Sequence, residues 1–402
     1  MHPKTILFLG THGQYNIGDE LLLETFLSQL GPEHHYLINS YDPGFTTLQL
    51  ADRYHAQPFH TVQEKSHLPK LIFQSDLVFF GGGGILKELY ASVGRNRYAT
   101  LFMILAIVTF ANLIARKPII MSNIGIGPVN TPFGMFLARL ILRQVQYVSV
   151  RDQKSYDNCL RLNILPPKAE LVADAVFVHD PAFFVPRPQP QVKDTPLKIA
   201  LNLNYDIENP ESWERFLAQL ARGLTLVHQQ RPLEIHALPM QAGFKAHTDL
   251  ELLNEFSTRL PDIPMFAHEP ATPQDIGQII AECDIIVAER LHTCITAAVI
   301  GKPFLPLIYD VKVREMAKML EMEDFGLEID ALFNAEEFAE TLLGLDIQQS
   351  EVKKLLHERG AALRLKLRDY FRRLNETIER IETQPARPTP AVSATEGTSR
   401  AH

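Results

Sequence analysis

Residues 284–303 read DIIVAERLHTCITAAVIGKP, and the fold can be read outward from them. Ile285, Ile286 and Val287 make the short apolar run expected of a fully buried parallel strand. A helical pattern follows from about Thr293 to Ile300, with Gly301 as its stop and Pro303 beyond. Arg290, Leu291 and His292 fall between the two, at the carboxyl edge where open α/β sheets bind ligands. A helix N-terminus there attracts anions through its free N–H groups and its dipole. An Arg fork and a titratable His suit that edge to a phosphate or carboxylate. The plainer alternative is that Arg290 caps a neighbouring element and His292 is a satisfied core residue.

The same strand-then-loop unit recurs toward the N-terminus. Thr5 to Leu9 is a buried strand, and Asp19 to Leu30 carries a helical apolar pattern that closes at Gly31-Pro32. The joining loop contains Gly13, Asn16, Gly18, Asp19 and Glu20, so its backbone can approach a ligand beside a helix start. Its spacing fits neither a Walker A loop nor a dinucleotide fingerprint. Ser75 to Phe80 is a strand running into Gly81, Gly82, Gly83 and Gly84; Ile119 to Asn123 runs into Gly125 and Gly127. Tyr147 to Val150 runs into Arg151-Asp152, and Val172 to Asp174 ends another strand. Strands alternating with helices and ending in Gly-rich or charged loops imply a doubly wound, mostly parallel sheet.

Residues 181–196, PAFFVPRPQPQVKDTP, are rich in Pro and polar residues, and 186–196 reads as a linker. A second α/β unit begins at Lys198, and Glu351 to Thr383 reads as one long amphipathic helix. The expected organisation is a first domain over 1–185, a second over 197–345, the helix over 346–383 and a disordered tail over 384–402.

Over 402 residues the chain is 46% hydrophobic and 21% charged, ordinary for a soluble protein of two or three domains. A net charge of −8 argues against a dedicated nucleic-acid binder. Cys159, Cys283 and Cys294 lack metal-ligand spacing, so no metal is expected, and three cysteines without a secretory signal favour a reducing cytoplasm. One segment challenges that setting: LFMILAIVTFANLIA, residues 101–115, with Arg95, Arg97, Arg116 and Lys117 around it. It falls short of the ~20 apolar residues a span needs. A core crossover helix is expected, with peripheral contact at the inner face of a membrane left open.

Six segments in consistent order resemble the polysaccharide pyruvyl transferase family: GTHGQYNIGDELLL, FFGGGGILKE, NIGIGPV, SVRDQKS, LVADAVF and ERLHTCITAAVIGKPFLPLIYDVKV. The resemblance spans roughly residues 5 to 320. It implies two Rossmann-like domains facing a cleft, in the manner of glycosyltransferase-B enzymes. It also implies transfer of a pyruvyl group from phosphoenolpyruvate, a donor substrate rather than a cofactor, to two hydroxyls of a surface or cell-wall sugar. Arg290, Leu291 and His292 match the family's donor-binding segment, and Arg151 its RD-x-x-S segment. The 13–20 loop and Gly82, Gly83 and Gly84 would face the cleft from the acceptor side. His292, Arg290 and Asp19 are then the expected catalytic residues, with Asp19 or Glu20 orienting acceptor hydroxyls. Glu289 departs from the family pattern, where a neutral residue is common. A nucleotide-sugar glycosyltransferase and a non-catalytic sugar-polymer binder remain as alternatives on the same fold.

Overall fold

The computed structural model describes residues 2–50, 53–89, 96–185, 196–204, 210–244 and 247–381. The expected linker, apart from residue 196, and the expected tail lie outside the described residues. The first sheet has seven parallel strands: β1 (Thr5–Leu9), β2 (His35–Ser40), β3 (His55–His60), β4 (Leu77–Gly81), β5 (Ile119–Ile124), β6 (Tyr147–Val150) and β7 (Ala169–Leu171), ordered 3-2-1-4-5-6-7. The helices between them are α1 (Ile17–Leu30), α2 (Pro43–Leu50), α3 (Leu68–Gln74), α4 (Ala99–Thr109), α5 (Pro132–Gln144) and α6 (Gln153–Arg161). A turn over Ala175–Val178 and the short α7 (Pro181–Phe184) lead out of the sheet.

The second sheet has six parallel strands: β8 (Leu197–Asn202), β9 (Leu233–Ala237), β10 (Met265–Ala267), β11 (Ile285–Ala288), β12 (Phe304–Ile308) and β13 (Leu327–Glu328), ordered 10-9-8-11-12-13. Its helices are α8 (Pro210–Gln230), α9 (Asp249–Ser257), α10 (Pro273–Glu282), α11 (Leu291–Ile300), α12 (Val311–Met319) and α13 (Ala335–Ile347), followed by α14 (Gln349–Glu379). Each sheet reverses its strand order once, between β1 and β4 and between β8 and β11. Such switch points open crevices at the strands' carboxyl ends. There the sequence places its glycine loops and its Arg-Leu-His segment.

Three expectations need correction. The segment over 172–174 is not strand: β7 ends at Leu171, and Asp174 caps the following turn by accepting the Val176 N–H. Helix α11 begins at Leu291 rather than Thr293, so Arg290 is the N-cap and His292 sits in the first turn. The 101–115 segment is not a fully buried core helix. Leu101, Ile104, Val108 and Ala111 face the sheet, while Phe102, Met103, Leu113 and Ile114 face outward. Among the described residues no helix is long and apolar enough to cross a membrane.

The two sheets share one core. A single apolar cluster runs from Phe8, Phe26 and Phe79 through Phe177 and Phe184 into Ile285, Ile286 and Ile295. Helix α14 ties the halves together, with Leu356 buried at one end and Tyr370, Phe371 and Leu374 at the other. Gly360 lies where α14 passes the Ala298 carbonyl of α11. The Tyr370 hydroxyl bonds Ser122 Oγ at 2.5 Å and Ser149 Oγ at 2.7 Å, and Ser122 in turn donates to Asn123 Oδ1. With the Ser122 proton spent on Asn123, Tyr370 donates to Ser122, and Ser149, which also accepts the Asn123 N–H, donates to Tyr370. Removing the Tyr370 oxygen orphans these buried groups. Tyr370→Phe should therefore cost about 1–3 kcal/mol in denaturant unfolding.

Candidate active site

The loop after β1 does more than face the second domain: it pairs with it. Asn16 and Gln241 form an antiparallel bridge, flanked by Ile17 N–H to Met240 carbonyl at 2.9 Å and Ala242 N–H to Tyr15 carbonyl at 3.0 Å. Asn16 is the N-cap of α1 and accepts the Gly18 N–H. Gly18 lies flat against His292, where an added Cβ would fall 2.4 Å from Nδ1. No larger side chain fits while His292 keeps its place.

Two of the expected residues, Arg151 and His292, meet behind that contact, around one carboxylate the sequence reading did not single out. Asp174 is 4% exposed. Its Oδ2 accepts from Arg151 Nη1 at 3.2 Å and lies 3.8 Å from His292 Nε2, an ion-pair distance. Burial pushes the Asp174 pKa up, but His292, Arg151 and the Val176 N–H outweigh it and hold the carboxyl below its usual range. Lys312, on the first turn of α12, lines the same crevice with Arg151, Asp152 and Leu291. Burial works against its charge, but Tyr309 and Asp310 raise its pKa above the ordinary lysine value. Asp19, half-buried at the start of α1, lies in the field of His292, Lys312, Arg290 and Arg151, although burial still raises its pKa.

Among the described residues, three buried polar atoms in this cluster make no hydrogen bond: Thr293 Oγ1, Arg151 Nε, which stands 3.9 Å from Asp152, and His292 Nε2. Helix α11 adds its own open end. Side chains cap α9, α10, α12 and α13, whereas α11 has Arg290 at its N-cap and no side-chain cap. The Thr293 N–H turns back to the Arg290 carbonyl at 3.1 Å, so among the described residues the Leu291 and His292 N–H groups are the ones left for an anion.

Arg290 itself is placed differently from the sequence expectation. Its fork is already filled: Nε and Nη2 bind Asp249 at 2.7 and 2.6 Å. Asp249 is 1% exposed and also accepts the Met240 and Gln241 N–H groups. In the sequence, Asp249 reads as an ordinary first-turn acid of α9, with nothing to link it to an arginine across the sheet. Glu289 points into the second domain, buried, with Oε2 accepting the Asn204 N–H at 2.8 Å.

The remaining expected residues shape the walls. Gly13 has φ +71, and a Cβ there would fall 2.1 Å from Ser40 Oγ. Glu20 turns inward to accept the Gly13 N–H at 2.7 Å. Gly82 packs on Leu22 and Phe26, and Gly83 (φ +73) carries the carbonyl that accepts the Gly125 N–H. Gly84 has open space before it, with its Cα close to Gly125. His12, inside the first family-like segment but not singled out there, is buried against Phe8 with neither ring nitrogen hydrogen-bonded among the described residues, and burial lowers its pKa to about 3. Beside these walls a cavity of about 400 Å³ opens between the domains, bounded by Tyr15, Ile17, Glu20, Gln241, Thr248 and Pro270. That volume is in the range of small-ligand sites.

Two stability predictions follow from these contacts. Arg290→Ala leaves Asp249 buried without its counter-charge and should cost about 3–5 kcal/mol. Wild-type stability in this variant would refute the pairing. Burial raises the Glu20 carboxyl from an ordinary 4.5 to about 8, against the pull of the Gly13 N–H. The folded chain therefore binds the extra proton, so this contribution is complete below pH 4.5 and lost as pH rises through about 8. Glu20→Gln keeps the Gly13 bond and should flatten that slope in pH-dependent melting.

At the level of fold, solved structures superpose over nearly the whole chain. Anabaena HepE in complex with UDP-glucose matches with a TM-score of 0.61 at 14% identity, covering 94% of this chain and 99% of its own. A glycosyltransferase from Rickettsia africae gives 0.63 at 13%, covering 95% and 100%. UDP-GlcNAc 2-epimerase from Neisseria meningitidis, bound to UDP-GlcNAc, gives 0.60 at 12%, covering 93% and 99%. The architecture is therefore that of glycosyltransferase-B enzymes. No match was found among curated protein sequences. The model of the polysaccharide pyruvyl transferase family matches residues 16–311, and the chain belongs to that family of transferases.

Proposed function

We propose that this transferase moves a pyruvyl group from phosphoenolpyruvate to two hydroxyls of one sugar, closing a cyclic ketal and releasing phosphate. The sugar would belong to a surface or cell-wall polysaccharide or its lipid-linked precursor. The observation that carries this reading is the start of α11, which has no side-chain cap, beside Arg151 Nε, His292 Nε2 and Thr293 Oγ1, none hydrogen-bonded among the described residues. A donor with both a phosphate and a carboxylate can satisfy all of these at once.

In this reading the phosphate sits on the α11 N-terminus with Lys312, and Arg151 takes the carboxylate. His292, biased by Asp174, supplies a proton to the enol carbon or removes one from the attacking hydroxyl. Asp19, in the field of His292, orients the acceptor hydroxyls, and the 400 Å³ cavity beside Ile17 and Glu20 takes the more distant part of the acceptor. Arg290 becomes a positioning residue that holds Asp249 and the 240–241 backbone. Only about 10 Å³ is open between Arg151, Asp174 and Lys312, so donor entry requires these walls to part.

A nucleotide-sugar donor is the second reading, favoured by the neighbours solved with UDP-sugars on this fold. Calorimetric titration separates the two: phosphoenolpyruvate should bind and UDP-glucose should not. Acceptor-dependent phosphate release should fall by ~10²–10⁴-fold in His292→Ala, with little change in melting temperature. Binding of UDP-glucose alone would reverse the assignment.

A further inference from the structure

The outward face of the 101–115 segment belongs to a larger apolar surface. Phe102, Met103, Leu113 and Ile114 are joined by Phe133 and Phe136 of α5, all between 45% and 66% exposed. The rings form one run: Phe102 to Phe133 at 6.0 Å and Phe133 to Phe136 at 6.4 Å between centroids. At the far end Phe110 meets Phe73 of α3, itself half exposed, at 5.6 Å. Contiguous exposed apolar surface of this kind marks an interaction site in a water-soluble fold.

The charge around it names the partner. In a chain of net charge −8, no Asp or Glu occurs between Glu88 and Asp152. Arg97 and Arg116 flank the α4 segment, Arg143 stands on α5 and Lys70 on α3, all exposed. Two helices projecting aromatic and aliphatic side chains, flanked by exposed cations and free of acids from residue 89 to 151, match an anionic bilayer surface. A second copy of this chain would instead bring like charges together at the rim.

We propose that this face docks the protein on the surface of an anionic lipid membrane, with the apolar side chains entering the headgroup region and the arginines at phosphate level. The patch reaches the catalytic edge at Phe133. Thr131, the N-cap of α5, is held by Glu88 Oε1 at 2.7 Å, and the preceding Gly125–Pro128 loop lies against Gly83 and Leu86. A docked molecule thus holds its cleft close to the membrane, where a lipid-linked sugar would be presented. That last consequence rests on the pyruvyl-transfer reading; the docking itself does not.

Cosedimentation of the full chain with vesicles tests docking without any activity. Phosphatidylcholine vesicles containing phosphatidylglycerol should pellet the protein, and added salt should release it. The double variant Leu113→Glu/Ile114→Glu and the variant Arg116→Glu/Arg143→Glu should each lower the partition coefficient roughly tenfold, with unchanged melting, because the side chains are exposed. The proposal fails if the native protein stays in the supernatant, binds equally without phosphatidylglycerol, or binds unchanged in either variant. It also fails if light scattering shows a dimer that Leu113→Glu/Ile114→Glu converts to monomer, which would make this face a subunit interface.

Discussion

Asp174 is the constraint on which the rest of the site depends. It is a buried carboxylate at the exit of the first sheet, on the turn that carries Phe177 into the shared core. Its one oxygen faces an arginine from the first domain and a histidine from the second. A buried charge of this kind persists only when paired. The domains must therefore meet at this point with Arg151 and His292 in place, and the apolar cluster through Phe177 and Phe184 holds them there.

Two carboxylates divide the cationic groups into a structural and a reactive set. Asp249 takes up the fork of Arg290 and two backbone N–H groups, locking β11's exit onto the 240–249 loop. Asp174 takes only part of Arg151 and approaches His292 without a full hydrogen bond, leaving on each a nitrogen that makes no hydrogen bond among the described residues. Buried polar atoms left unpaired cost free energy that a bound anion can recover. The helix cap at α11, absent where its neighbours have one, points to the same place.

Much of the architecture was legible along the chain because its signals are local. Apolar runs ending in Gly81 to Gly84, in Gly125 or in Glu289-Arg290 place the strands and their carboxyl edges, and six motifs in register carry the family. The site was only half legible. Arg151, His292, Gly18 and Asp19 could be singled out, because cations and glycines at strand ends suggest ligand chemistry. Asp174, Asp249 and Lys312 could not, since an acid near a helix start or a lysine in a first turn reads equally well as a local dipole or cap effect.

By itself, then, the sequence determined the alternation of strand and helix, the two α/β halves and the loops that reach the cleft, all of which follow from periodicity and turn chemistry. Only the tertiary structure decided which carboxylate each arginine holds, that Glu20 turns inward, and that the 101–115 helix keeps an apolar face outward. Those outcomes depend on pairings between residues tens to hundreds of positions apart, where burial and charge compensation, rather than local pattern, select the partner.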